Sequence, residues 1–572
     1  AKTSPELEEG LLKEAMALAL GTQPEGIEGF LKTKGFSNPE DALRRFSTLR
    51  EGASKRQLTQ RAGGLLAQIL PKTIDGILKS PIPELALIHT EQFFAQIGGR
   101  ASYYALFKEH PKLLELLIML FGSSSYLSHF MLKNPAVLES LVTEDPRKPL
   151  DRGALEEMAE QELASAEDFE DAMEALRSFK NTATLRIALL DLLSELPIED
   201  VLRLNSEVAE ICLVQTSRLC IQEMQRRYPF PTKTGDVPFF AVATGTLGSQ
   251  EMGYGSDIDM LFLFDEPEDV GDQETFTAFV TRLGQRILRA LTTTGRGGYL
   301  YRVDTRLRPR GRHGALVSSI ARFAEFNQKE AGVFEKMSMF KARPVFGKPE
   351  VIQERIAPLF DELLWSRPLD SEELKQGLRM RSRMETELVS PDYNGQKGFH
   401  IKWGKGGLLD AEFLVVWILL AFGAGNQGLR AHSTLEGICL LESFELMSKE
   451  DSGFLANHYR FLRMLENRVR LIHDVDVENV DFEDPRFHEL MASIMQRLGH
   501  EASFAKQGAK SSLLALTRRA RALYDRYTLL LQRHLQDGEP DVRRWRASWG
   551  LSKNMLKSWE PGKQFGRTTT KG

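Results

Sequence analysis

The sequence predicts a mostly α chain with one α+β insert, on three observations. Over residues 1–228 apolar side chains recur at three and four positions, the helical period. Between 229 and 350 the grammar changes to short apolar runs separated by glycines, which read as strands. From Val351 helical spacing returns, as in the stripe Leu462, Leu465, Val469 and Ile472.

The elements follow in order. Asn38 before Pro39 is a helix cap followed by proline in the first turn, and Asn134 with Pro135 repeats the signal. Pro111 opens an apolar helix that Gly122 closes. Ser165 with Asp168 makes a capping-box pattern before a helix at 169–179. Pro229, Pro231 and Gly235 mark a break. Strands are expected at 239–243, 256–264 and 299–307, with a helix at 276–291 between the last two. Asp484 with Pro485 caps a late helix that stops near Gly499. The regions are therefore 1–228 helical, 229–350 α+β, 351–545 helical, and a tail at 546–572.

Composition narrows the function. With 42% apolar and 27% charged residues among 572, the chain can bury sizeable cores. A net charge of -5 supplies no cationic field, so neither nucleic acid nor an anionic membrane is an expected partner. Cys212, Cys220 and Cys439 are too few for a disulfide framework and fit a reducing, cytoplasmic setting. From Ala1 the chain shows no basic, apolar and cleavage segments of a secretory signal. The most apolar runs, 116–121 and 413–422, fall well short of the about 20 residues that span a bilayer and read as core helices. Arg and Lys accumulate from Arg518 with Trp545, Trp549 and Trp559, which reads as amphipathic packing.

The strongest chemical signal is Gly248-Ser249 followed by Asp257-Ile258-Asp259. On a strand, residues two apart share a face about 7 Å apart. Two carboxylates so placed repel unless a cation lies between them, and two-metal sites need such oxygen ligands. The turn 245–249 offers backbone N–H groups and the Ser249 hydroxyl to phosphate oxygens. An Asp-x-Asp pair taken alone fits a solvated turn or strand edge better than a site. Flanking apolar runs favour function, because a buried strand does not carry two unpaired carboxylates without reason.

Asp304 supplies a third carboxylate, and on a strand it shares a face with Arg302, Arg306 and Arg308. Asp304 would complete the metal site while the arginines bind triphosphate; a surface ion-pair ladder is the plain alternative. Lys341-Ala342-Arg343 offers cations to pyrophosphate or is a solvated basic pair. In 402–407, which starts at Lys402 and Trp403, the glycines bring backbone to a nucleotide or only join two helices. Asp410 and Glu412 fit chemistry or a helix start. The P-loop, H-E-x-x-H and nucleophile-elbow patterns are not found. His313, His400, His432 and His473 are scattered and read as exposed or satisfied.

These motifs together resemble the glutamine synthetase adenylyltransferase (glutamate–ammonia-ligase adenylyltransferase) family of polymerase beta-like nucleotidyltransferases. The likeness rests on Gly245-Thr246-Leu247-Gly248-Ser249-Gln250-Glu251, Ser256-Asp257-Ile258-Asp259, Asp304-Thr305-Arg306-Leu307-Arg308-Pro309, Leu316-Val317-Ser318-Ser319, Lys341-Ala342-Arg343 and the stretch 402–413. Gly35-Phe36-Ser37-Asn38-Pro39 and Phe121-Gly122-Ser123-Ser124-Ser125-Tyr126 look like the family's region before a catalytic domain. The family's Gly-Lys-Leu-Gly-Gly reads with Thr246 and Ser249 here, and its aromatic-Glu-Arg/His reads Phe334-Glu335-Lys336.

The resemblance implies a polymerase beta-like nucleotidyltransferase domain flanked by helical domains. It also implies Mg²⁺ and ATP as cofactor and substrate, and AMP transfer to a tyrosine of glutamine synthetase in the control of nitrogen assimilation. Asp257, Asp259 and Asp304 would be catalytic and metal-holding; Gly248, Ser249, Arg306, Arg308 and Lys341 would bind the nucleotide. Regulation by a PII signalling protein and by glutamine is implied too, without residues that place either. Family members carry two tandem units, one attaching AMP and one removing it by phosphorolysis, and one unit is found here. Residues 251–254, 304–308 and 316–319 look like the carboxyl-terminal attaching unit, whereas 459–474 looks more like the removing one. Phosphorolytic removal and a silent PII- and glutamine-sensing binding module remain the rival readings.

Overall fold

The computed structural model describes residues 17–18, 20–22, 26–52, 58–133, 135, 137–138, 150–228, 237–266, 272–473, 478–499 and 507–555. The insert holds a five-stranded mixed sheet. β1 (Phe239–Thr244) pairs antiparallel with β2 (Ile258–Phe264). β3 (Val303–Asp304) and β4 (Val317–Ser319) each run parallel to β2 along its other side. β5 (Arg343–Phe346) closes the far edge, antiparallel to β1. All six residues of β1 are buried, and the one break in the buried run of β2 is Asp259. The strand expected over 299–307 is shorter than its pattern suggested. A Gly295–Gly298 bridge precedes it, and Arg306 turns back onto Asp304, so only two residues pair.

Helices pack around this sheet on both sides in sequence. Before it come α1 (Phe169–Leu192) and α2 (Ile198–Arg227), and within it α3 (Gln273–Thr292). Asp168, not Ser165, caps α1: its carboxylate accepts the Asp171 N–H at 2.8 Å, while the Ser165 hydroxyl turns to the Glu162 carbonyl. The Asn38 cap with Pro39 forms as the sequence implies, accepting the Asp41 N–H. α3 is amphipathic; Phe276, Val280, Leu283, Ile287 and Leu291 are buried on its inner face, which contacts α2, β3 and β4. The Asn134 cap, the break at 229–236 and Trp559 lie outside the described residues.

After the sheet the helical half centres on α4 (Ser371–Glu387), α5 (Leu408–Phe422), α6 (Lys449–His473) and α7 (Ala509–Gln536). α5 is apolar on every side because helices cover it all round; Trp417 is fully buried and its indole N–H meets the Met337 sulfur at 3.1 Å. Trp545 is likewise buried, donating to the Leu446 carbonyl at 2.8 Å. A two-stranded ribbon of β6 (Gly398–His400) and β7 (Asn479–Asp481) interrupts this half. Three-residue strands leave no periodic signal, so the sequence reading took the region as helical. Among the described residues no helix is long and apolar enough to cross a membrane.

The glycine-rich loop between β1 and β2 is clamped by both helical halves. Ser206 on α2 accepts the Met252 N–H at 3.0 Å, and Asn467 on α6 accepts the Tyr254 N–H at 3.3 Å. The Tyr254 hydroxyl donates to Asp191 at the end of α1, which also holds Arg468 and Arg497.

After β1 the chain makes a one-turn helix, Gly245–Gly248, whose end presses against β5's approach. A Cβ on Gly248 would stand 1.9 Å from the Lys341 carbonyl oxygen and 2.9 Å from that of Ala243. Both obstacles are backbone and cannot swing away. Gly248→Ala is therefore expected to lower unfolding stability by about 1–3 kcal/mol. Urea denaturation measures this, and an unchanged midpoint would contradict the packing.

Candidate active site

Three carboxylates gather at one end of β2. The parallel register sets Asp259 opposite Asp304, and Ile258 opposite Val303. Register partners in a sheet project to the same face, so the two acids are side by side. Asp257 stands two residues before Asp259. Burial, then the negative charge of Asp304 and that of Asp257, push the Asp259 carboxyl up to about 6, with Lys402 and Arg306 pulling the other way. On the opposite side of Asp259 lies Thr244, fully buried, whose hydroxyl finds no hydrogen-bond partner among the described residues.

Cations answer these acids. The Arg302 guanidinium pairs with Asp257 at 2.8 Å, and Arg306 pairs with Asp304 through its side chain at 2.6 Å and its own N–H at 2.8 Å. Burial raises the Asp304 carboxyl, but the Arg306 bonds outweigh it and leave its pKa below the usual range. Arg306 remains largely open to solvent. Arg308 does not share this face. Its guanidinium holds the carbonyls of Thr305, Gly314 and Arg312, so it shapes the loop after β3.

Gly245 brings backbone directly onto the acids. It sits at φ +56°, and a Cβ there would lie 2.2 Å from an Asp259 carboxylate oxygen. Only glycine allows both the turn and the close approach.

Two positions expected to bind nucleotide have other partners. The Ser249 hydroxyl is buried and donates to Glu251 at 2.8 Å. The Lys341 ammonium is also buried, between Glu251 at 3.2 Å and Glu412 at 3.0 Å. Glu412 in turn meets Tyr459 and Arg463 of α6. Lys341 is thus a strut between the sheet and the C-terminal helices. Asp410 instead ties α4 to α5 within the C-terminal half, fully buried against Arg381 and the Gly406 N–H. His400 is buried on the Trp403 ring, and burial lowers its pKa to about 4.

A further cation, Lys402, to which sequence reasoning assigns no role of its own, bears on the acids. It reaches Glu478 at 3.3 Å, and its charge is the largest force lowering the Asp259 pKa. The signal was the Lys402–Gly407 turn itself, which could not be placed against the acids without the fold.

By chemical type, though not by its present arrangement, the donor set would suit a hard divalent cation. Three carboxylates with no sulfur or imidazole suit magnesium rather than zinc. Among the described residues no group of three His, Cys, Asp or Glu side chains is arranged to hold a metal ion. Asp257 and Asp304 are turned instead into their arginine pairs.

The raised Asp259 carboxyl sets a sign for stability. Between its ordinary 3.8 and about 6 the folded chain keeps a proton that the unfolded chain has released, so this group's contribution weakens as pH rises through that window. Asp259→Asn removes the burden. Without divalent cations the variant should be more stable than wild type by about 3 kcal/mol above pH 6, with the gap closing below about pH 4. Urea unfolding across pH reads this; a variant less stable at neutral pH would contradict it.

Residues 114–357 match the profile of glutamate-ammonia ligase adenylyltransferase, and residues 379–527 match that of the PII-uridylyltransferase GlnD. Among curated relatives, the bifunctional glutamine synthetase adenylyltransferase/adenylyl-removing enzyme of Thioalkalivibrio sulfidiphilus is 32% identical over 83% of this chain and 50% of its own length. Enzymes of the same name from Nitrosococcus oceani and Pseudomonas aeruginosa are each 30% identical, over 82% and 78% of this chain and 49% and 48% of their own lengths. The chain spans about half the length of the curated relatives it matches. With residues 114–357 carrying the match, the chain belongs to the glutamate-ammonia ligase adenylyltransferase family.

Proposed function

We propose that this chain is a magnesium-dependent nucleotidyltransferase that moves AMP from ATP to a tyrosine hydroxyl of glutamine synthetase. The observation that carries the reading is the register of Asp259 with Asp304 beneath Gly245, with Asp257 two residues away. Asp257, Asp259 and Asp304 would hold the metal. Magnesium bound there supplies a Lewis acid that lowers the acceptor hydroxyl's pKa and offsets phosphate charge.

The protein's own groups do the rest. Gly245 lets the one-turn helix bring its backbone close to the phosphates. Arg302 and Arg306 would bind phosphate oxygens in place of their carboxylates, leaving Asp257 and Asp304 able to hold the metal. Lys402 faces the same acids from the C-terminal half and adds positive charge opposite the departing pyrophosphate. Lys341, Ser249 and Arg308 keep the frame rigid, so the reacting groups need little further ordering.

Phosphorolytic removal of AMP from adenylyl-tyrosine uses the same phosphorus and the same charges in reverse. The names of the relatives carry both directions, so the assay needs both arms. The match at 379–527 to a PII-uridylyltransferase supports a PII-type protein as a partner; glutamine as a small effector belongs to the proposal alone.

Supplied with radiolabelled ATP, Mg²⁺ and unmodified glutamine synthetase, the chain should label its target. The double variant Asp257→Asn, Asp259→Asn should lose at least about a hundredfold in rate while its circular dichroism stays helical. Release of ADP from adenylylated glutamine synthetase plus phosphate, without labelling in the forward arm, would assign the opposite direction. Full activity in the double variant would defeat the site.

A further inference from the structure

A cavity of about 160 Å³ opens beside Asp257, lined by Lys180, Tyr254, Gly255, Tyr299, Tyr301 and Arg302 among others. One wall of it is held with unusual firmness. The Arg177 guanidinium donates to the Thr293 carbonyl at 3.0 Å, and the Asn181 amide to that of Gly297 at 3.0 Å. Glu174 accepts the N–H groups of Arg296 and Gly297 at 3.0 and 3.3 Å. The Gly295–Gly298 bridge closes the loop on itself. A glycine-rich surface loop left alone would be mobile; here α1 fixes it from three side chains.

The fixed loop delivers Tyr299 and Tyr301 to the cavity. Tyr301 is buried, but Tyr299 is 41% exposed, one of few large aromatics in that condition among the described residues. The Lys180 ammonium lies 4.8 Å from the Tyr301 ring centre and 5.5 Å from that of Tyr299. Burial brings the Lys180 pKa down to about 8, as fits a cation that has exchanged water for aromatic faces. Asp257 and Arg302 form the side of the cavity that meets the acid cluster.

We infer that this cavity is a docking subsite for a planar ring whose attached atoms reach the Asp257 end, with Tyr299 as its stacking face. A rigid aromatic wall binds a ring without ordering cost, and a nearby cation strengthens the stack. The identity of the ring rests on the proposed transfer, in which two participants carry one: the adenine of ATP and the phenol of the acceptor tyrosine. The site itself rests on the cavity and its pinned wall.

Saturation-transfer NMR on the full chain with ATP and with N-acetyl-L-tyrosinamide tests the subsite without turnover. Wild type should saturate the ring protons of at least one probe. Tyr299→Ala should weaken that probe's binding by about tenfold, and Tyr299→Trp should restore it. Weakened ATP binding assigns adenine, and weakened tyrosinamide binding assigns the acceptor. Because Tyr299 is exposed, the unfolding midpoint of Tyr299→Ala should match wild type; if it drops, Lys180→Gln replaces it and must weaken the same probe. Neither probe binding, or binding untouched by the variants, overturns the inference. Ring binding without any AMP labelling by wild type would leave the subsite standing and defeat the proposed function instead.

Discussion

The parallel pairing of β2 with β3 is the constraint on which the site depends. It spans two residue pairs, and one of them is Asp259 with Asp304. Like charges directly opposite on neighbouring strands destabilise a sheet. Folding meets that cost by drawing Arg302 and Arg306 onto the flanking carboxylates, while Asp259 keeps its proton to higher pH. The same acids thus hold an electrostatic tension that, on the proposed function, a divalent cation at the carboxylates and a polyphosphate at the arginines would relieve together.

Such a short pairing needs support from elsewhere, and the helical halves give it. α3 packs on β3 and β4, α2 and α6 grip the loop at Met252 and Tyr254, and Asp191 gathers Tyr254, Arg468 and Arg497. Lys341 between Glu251 and Glu412 joins the same loop to α5 and α6. Buried ion pairs add little net stability, but removing one partner leaves an uncompensated charge. They therefore fix relative position strongly. Helices and sheet thus meet at the loop beside the acid cluster, where Arg470 of α6 also donates to the Ser256 hydroxyl at 2.9 Å, next to Asp257.

Much of this was legible in the sequence, and the limits have physical causes. The insert, its two long strands and α3 announced themselves because β1, β2 and α3 bury continuous or periodic apolar faces. Asp257, Asp259 and Asp304 stood out because charge inside such runs needs a reason. The roles of the basic residues were harder to read. Arg306, Arg308 and Lys341 look alike in sequence, yet one faces solvent beside Asp304, one ties a loop, and one is buried between two glutamates. Lys402 reaches the acids only through the docking of the C-terminal half, which no local pattern encodes. The ribbon of β6 and β7 was missed for the same reason: its pairing joins residues far apart in the chain.

On the proposed function, Asp259 sits in a carboxylate cluster that would receive a divalent cation. Carbon-13 NMR of aspartate-labelled protein, with the Asp259 carboxyl assigned by its loss in Asp259→Asn, reads this directly. The account predicts titration near 6 without metal and well below the ordinary 3.8 when Mg²⁺ is present. An Asp259 that titrates at 3.8 and ignores magnesium would contradict it.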